Sequence, residues 1–177
     1  MPMNSKIISQ VEKTFKKEIE NKEILDIIIF GSAIRGKAAP NDIDIAILTE
    51  NNFDKKVEDF HISIINPRDF VVNPPSLINT LLREGYSIKN KSKFSEIYNF
   101  KSKVMFMYDL SKFDNSLKVK IVNILRGKNK QKGFVEQNEG EWLSNGLFLA
   151  NSEESYLFEK LLSNYKIPYK KNHILIH

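Results

Sequence analysis

The stretch whose reading decides the fold is IIIFGSAIRGKAAPNDIDIAIL, residues 27–48. Leu25 to Phe30 is an apolar run of strand length that stops at Gly31. Gly31 lets the backbone turn sharply and lets a ligand come close. Ser32 then stands where a helix would begin, as its N-cap. Backbone N–H groups at a helix start, together with a serine hydroxyl, make a seat for phosphate oxygens. Pro40-Asn41 is a loop that delivers the chain into a second strand, Ile43 to Leu48, opened by Asp42. Strand side chains alternate in direction, so Asp42 and Asp44 share a face while Ile43, Ile45 and Ile47 point the other way.

Two carboxylates about 7 Å apart along a strand, beside an anion seat, are costly unless a cation lies between them. A divalent metal bridging them to a nucleoside triphosphate meets that requirement. Gly31-Ser32, followed after nine intervening residues by Asp42-Ile43-Asp44 between two apolar strands, resembles the signature of the DNA polymerase beta-like nucleotidyltransferase superfamily. In size the chain is nearest to its minimal and antibiotic-modifying members. The resemblance covers roughly the first 100 residues.

That resemblance implies an α+β protein whose N-terminal nucleotidyltransferase domain, residues 1–95, is a mixed sheet with flanking helices. It also implies transfer of a nucleoside monophosphate from an NTP, with ATP the first candidate, to an acceptor hydroxyl with release of pyrophosphate. Mg²⁺ or Mn²⁺ is the implied cofactor. Asp42 and Asp44 would hold the metal, Gly31 and Ser32 would cradle the distal phosphates, and Arg35 and Lys37 would touch the triphosphate. The family carries a third carboxylate on the strand after Asp-x-Asp. Here that strand is Phe60 to Ile65, with His61 and Ser63 at its central positions and Asp59 on the same face at its entrance. Asp59 is therefore the candidate third metal ligand, and His61 the candidate catalytic residue, as ligand or as proton acceptor. The departure keeps a second reading open, a degenerate fold that binds nucleotide or RNA, or serves as an interaction partner, without turnover.

The bulk properties suit one larger domain or two small ones, at 177 residues with 41% hydrophobic and 28% charged content. With no cysteine, disulfides, zinc-thiolate sites and thiol catalysis are excluded. No apolar stretch follows Met1 to Lys6, and no run approaches the ~18 apolar residues of a span, so a cytoplasmic protein with no membrane partner is expected. Charge is unevenly placed: residues 1–100 hold 14 Lys+Arg and 14 Asp+Glu, while residues 101–177 hold 13 and 8, the whole of the net +5. A basic second half suits a polyanion such as RNA. It also suits plain lysine bias, since only four of the 27 basic residues are arginine.

Elsewhere, Ser5 to Asn21 reads as one amphipathic helix capped by Asn4 or Ser5, with Ile7, Ile8, Val11, Phe15 and Ile19 in a stripe. Asn51 to Lys56 reads as a turn and short helix, and Ser76 to Glu84 as a helix stopped at Gly85. Lys89 to Lys93 is polar and basic, a linker or an arm over a substrate. Residues 101–177 are expected to form a separate basic α+β domain, suited to an acceptor or nucleic acid, with order β-α-β-β-α-β, the ferredoxin-like plan. Its expected strands are Val104–Tyr108, Gly133–Gln137, Leu147–Ala150 and His173–Ile176, and its helices Ser116–Arg126 and Asn151–Tyr165, the latter capped by Asn151. Lys128, Lys130 and Lys132 form a spaced basic cluster, and Trp142, the only tryptophan, reads as core more readily than as a base-stacking platform.

Overall fold

A computed structural model describes residues 5–34 and 42–177. The chain divides into two compact units, Met1–Lys101 with His177, and Ser102–Ile176. In the first unit α1 (Ser5–Thr14) and α2 (Lys16–Glu20) precede β1 (Ile24–Phe30) and a one-turn 3-10 helix, Gly31–Ala33. Then come β2 (Ile43–Thr49), β3 (Phe60–Ile65), α3 (Asp69–Val72), α4 (Leu77–Glu84), β4 (Tyr86–Ser87), β5 (Ser92–Lys93) and α5 (Phe94–Ile97). The strands make one sheet in the order β3-β2-β1-β4-β5. β1 runs antiparallel to β2 and β4, whereas β2 and β3 are parallel, so the sheet is mixed as expected.

Apart from Asp26, Asp44 and Thr49, β1 and β2 are apolar, because helices cover both faces of the sheet. Ile27, Ile29, Ile45 and Ile47 pack with Val11 and Phe15 on one side. Ile28, Phe30, Ala46 and Leu48 pack with Leu81 and Phe94 on the other. The expected N-terminal helix is two helices, because Phe15 leaves helical geometry at φ −110° and ψ 23°. The apolar stripe survives the break: Phe15 is fully buried and meets Phe60 edge-on at 5.2 Å. The proposed cap Asn4 lies outside the described residues.

Two further expectations about its connections fail. Residues 51–56 form no helix. Lys89 to Lys93 is neither a linker nor a free arm, because it turns β4 into β5 within the sheet. The Lys89 ammonium holds that turn down, donating to the Asn21 carbonyl at 2.7 Å and to that of Ile24. A lysine whose partners lie more than 60 residues away gives no local sign of being bound.

The second unit holds β6 (Lys101–Tyr108), α6 (Asn115–Arg126), α7 (Phe134–Gln137), β7 (Glu141–Ser144), β8 (Leu147–Asn151), α8 (Ser155–Asn164) and β9 (Tyr169–Ile176). Apart from the one-turn α7, the order is β-α-β-β-α-β, and the sheet runs β7-β8-β6-β9 with β8 antiparallel to both neighbours. Residues 133–137, read as the second strand, contain α7 instead, and the strand is Glu141–Ser144. Asn151 does not cap α8. It ends β8, where its side chain accepts from Lys103 Nζ at 2.5 Å and donates to Glu139 at 3.2 Å. Phe106, Phe148 and Phe158 form the centre of this core, with ring centroids 5.0–5.7 Å apart. Among the described residues no helix is long and apolar enough to cross a membrane.

Candidate nucleotide site

The site forms where β1 ends. Gly31 takes φ +73°, the left-handed region, and turns the chain away from the sheet. Phe30 lies opposite Asp44 in the antiparallel register, so Gly31 sits directly against the Asp44 carboxylate. A Cβ on Gly31 would stand 2.5 Å from Asp44 Oδ2, so the carboxylate occupies the space of the missing side chain. On the other side β3 lies parallel to β2 and brings His61 level with Asp44. His61 Nδ1 is 3.3 Å from Asp44 Oδ1, with the Asp44 side chain 31% exposed and that of His61 72% exposed. The opposite oxygens of Asp44 are thus placed by a glycine and an imidazole.

The other expected residues fall into three groups. Asp42 is exposed and immediately precedes β2. Asp59 sits at φ +65°, its carbonyl accepting from the Ile43 N–H at 2.9 Å, so its backbone closes the start of the β2–β3 pair while its side chain is exposed. Ser32 is half-buried within the 3-10 turn and is not an N-cap; Phe30 holds that position, without a side-chain capping bond. Arg35 and Lys37 lie outside the described residues.

The description Polymerase beta, Nucleotidyltransferase belongs to the family whose pattern matches residues 10–94. The N-terminal domain belongs to the polymerase beta-like nucleotidyltransferase superfamily. Neither a curated protein nor a solved structure matches the chain.

A nucleotidyltransferase domain implies a divalent metal, and the donor set can be tested for it. Among the described residues no three His, Asp or Glu side chains converge as a metal cage. Mg²⁺ does not need one, since it is commonly held by one or two carboxylates together with substrate phosphates and water. Asp42 and Asp44 fit that role: both carboxylates reach solvent, and among the described residues neither pairs with a lysine or arginine.

The sequence reading missed a further carboxylate of this domain, Asp26. It is only 4% exposed and lies at the far end of β1. Its Oδ1 accepts from the Ile27 N–H at 2.8 Å and the Lys89 N–H at 3.4 Å, and its Oδ2 from Asn90 Nδ2 at 3.3 Å. An aspartate within the apolar run Ile24-Leu25-Asp26-Ile27 was the available signal.

Proposed function

We propose that the protein is a metal-dependent nucleotidyltransferase, moving a nucleoside monophosphate from an NTP, ATP first among them, to an acceptor hydroxyl. The observation that carries this reading is the Asp44 carboxylate, seated on the Gly31 turn next to exposed Asp42 in a domain of this family. In the reaction an acceptor oxygen attacks the α-phosphorus, the bond from that phosphorus to the bridging oxygen breaks, and pyrophosphate leaves. Asp42 and Asp44 would hold Mg²⁺ or Mn²⁺, which when bound neutralises charge on the phosphates. Gly31 leaves room for the Asp44 carboxylate against the turn, and Ser32 offers its hydroxyl to the phosphates. With Nδ1–H donating to Asp44, His61 keeps the lone pair of Nε2 for the proton of the attacking hydroxyl. Asp59 at the mouth of β3 is a further candidate ligand. Alignment of the two substrates carries most of the rate.

A second reading rests on His61 standing where a third carboxylate is expected, with no three-ligand cage among the described residues. In that reading the domain binds nucleotide and does not turn it over. One experiment separates the two. Each NTP labelled at the α-phosphate is incubated with Mg²⁺ or Mn²⁺, pooled RNA, protein or small-molecule acceptors and the parent protein, Asp42→Asn or Asp44→Asn. Label should move to an acceptor, and each substitution should cut the rate at least about 100-fold with the melting temperature unchanged. No transfer from any NTP, with a metal-dependent rise in melting temperature on adding nucleotide, would favour the binding reading. Equal rates in parent and both variants would remove Asp42 and Asp44 from the site.

A further inference from the structure

Asn115 to Val135 is a run of 21 residues without one acid, and it carries Lys118, Lys120, Arg126, Lys128, Lys130 and Lys132. The last four gather at the end of α6 and in the loop from Gly127 to Gly133. That loop is a closed clasp. A Cβ on Gly127 would fall 1.9 Å from the Gln131 carbonyl oxygen, and one on Gly133 2.3 Å from the Gly127 nitrogen, so the two ends meet backbone to backbone. Within it the Gln131 N–H donates to the Lys128 carbonyl at 3.0 Å across Asn129 and Lys130, at φ 54° and 66°. This is a type I′ turn. Gln137 Nε2 fastens the far side by donating to the Lys132 carbonyl at 2.6 Å.

The backbone is fixed while its charges are free. Lys128, Lys130 and Lys132 are exposed, and among the described residues their side chains have no hydrogen-bond or ion-pair partner. The second central position of a type I′ turn favours glycine, yet Lys130 occupies it. A lysine held in left-handed backbone is a local cost, and among the described residues no hydrogen bond or ion pair of its exposed side chain offsets it. Arg126 adjoins the clasp and is oriented. Its guanidinium lies 4.2 Å over the Trp142 ring and donates to Asn145 Oδ1 at 2.9 Å and the Ser144 carbonyl at 3.3 Å. It remains exposed.

We propose that this clasp and Arg126 grip a single-stranded nucleic acid, the lysines meeting its phosphates and the fixed guanidinium offering a flat surface to a base. Charge complementarity carries the choice of a polyanion. A membrane surface is the poorer fit, because Lys-Asn-Lys-Gln-Lys places no apolar residue at the tip to enter lipid. An acidic peptide would use the lysines but not the planar Arg126 on Trp142, which suits a base. The grip lies wholly in the second unit and does not require turnover at Asp42 and Asp44.

The test is fluorescence anisotropy of the full chain with labelled 15-residue oligouridylate and with single-stranded DNA of equal length. It is run in EDTA without nucleotide over a series of salt concentrations, so that success or failure is independent of nucleotidyl transfer. Binding to either strand is expected, because the phosphodiester is common to both, and a preference for one identifies the sugar that is read. In Lys128→Gln/Lys130→Gln/Lys132→Gln the slope of log affinity against log salt should become shallower by about 2, from three contacts at about 0.7 each. The corresponding triple arginine variant should restore it. Lys130→Gly should melt higher and bind more weakly, a pairing that a purely structural turn would not give. An unchanged slope in the triple glutamine variant overturns the proposal. So does equal affinity for an acidic peptide or for vesicles of phosphatidylcholine with 30% phosphatidylserine.

Discussion

Asp26 and Asp44 sit on neighbouring strands of one sheet, and the protein treats them in opposite ways. Asp26 is buried and accepts from two backbone N–H groups and the Asn90 amide. Asp44 is partly open to solvent, faces a glycine that leaves it room, and has His61 as its neighbour. In the register Asp26 lies opposite Leu48, four residues beyond Asp44, so the two are separated by about 14 Å along the strands. Near the Lys89 turn the fold satisfies its own carboxylate. At the Gly31 turn it leaves acceptor capacity for something from outside. The difference teaches where to look for chemistry: the carboxylate the fold leaves under-satisfied is the one a cationic ligand can complete.

Gly31→Ala should break this contrast most strongly. The new Cβ meets Asp44 Oδ2 at 2.5 Å and is held at φ +73°, so strain and displacement of the carboxylate arrive together. The expected loss is about 2–4 kcal/mol in urea unfolding, with transfer abolished. A variant with parental stability and rate would show that the close seating of Asp44 on Gly31 has no consequence.

Asp26→Ala should cost about 1–3 kcal/mol, because it strips acceptors from buried donors. It should leave nucleotide affinity unaltered, since sites this far apart without shared partners act independently. Urea unfolding and nucleotide titration of the same preparation check both halves. A large fall in affinity at parental stability would mean that the two ends are coupled and the contrast is false.

The same contrast explains what could be read from the sequence. The Gly31 turn and the strands around it were legible because each signal is local: an apolar run, a glycine at its end, and a second apolar run that opens after Asp42. A period of two put Asp59 and His61 on one face of β3, but the parallel register that brings His61 level with Asp44 was not legible in it. What stayed hidden depends on distant partners or on segments too short to show a period. Phe134-Val135-Glu136-Gln137 fits a strand as well as one helical turn, and only packing decides. Asn151 carries a good capping pattern, but Lys103 from the neighbouring strand claims its side chain. Asp26 reads as an interruption in β1 until Lys89 and Asn90 are brought to it.

The smallest expected effect lies at alkaline pH and probes the Asp26 end alone. Burial holds the Lys89 ammonium below its ordinary value of 10.5, and the charge of Asp26 acts against that fall. Between the lowered value and 10.5 the unfolded chain binds more protons, so the Lys89 contribution makes stability rise with pH across that window. Tyr98 does the reverse: burial first, and then Asp26, pushes its hydroxyl above the ordinary 10.0. Above pH 10.0 the folded state retains that proton more firmly, so the Tyr98 contribution is lost as pH climbs. Tyr98 is still 45% exposed, which keeps the effect slight. Removing the Asp26 charge in Asp26→Asn should lower Lys89 further and let Tyr98 relax, so melting temperature measured from pH 8 to 11 should rise more steeply and fall later than in the parent. Asp44→Asn should leave that curve in place. If the two asparagine variants shift the alkaline curve alike, Asp26 is not the charge that Lys89 and Tyr98 feel, and the opposition between the two ends of β1 loses its electrostatic half.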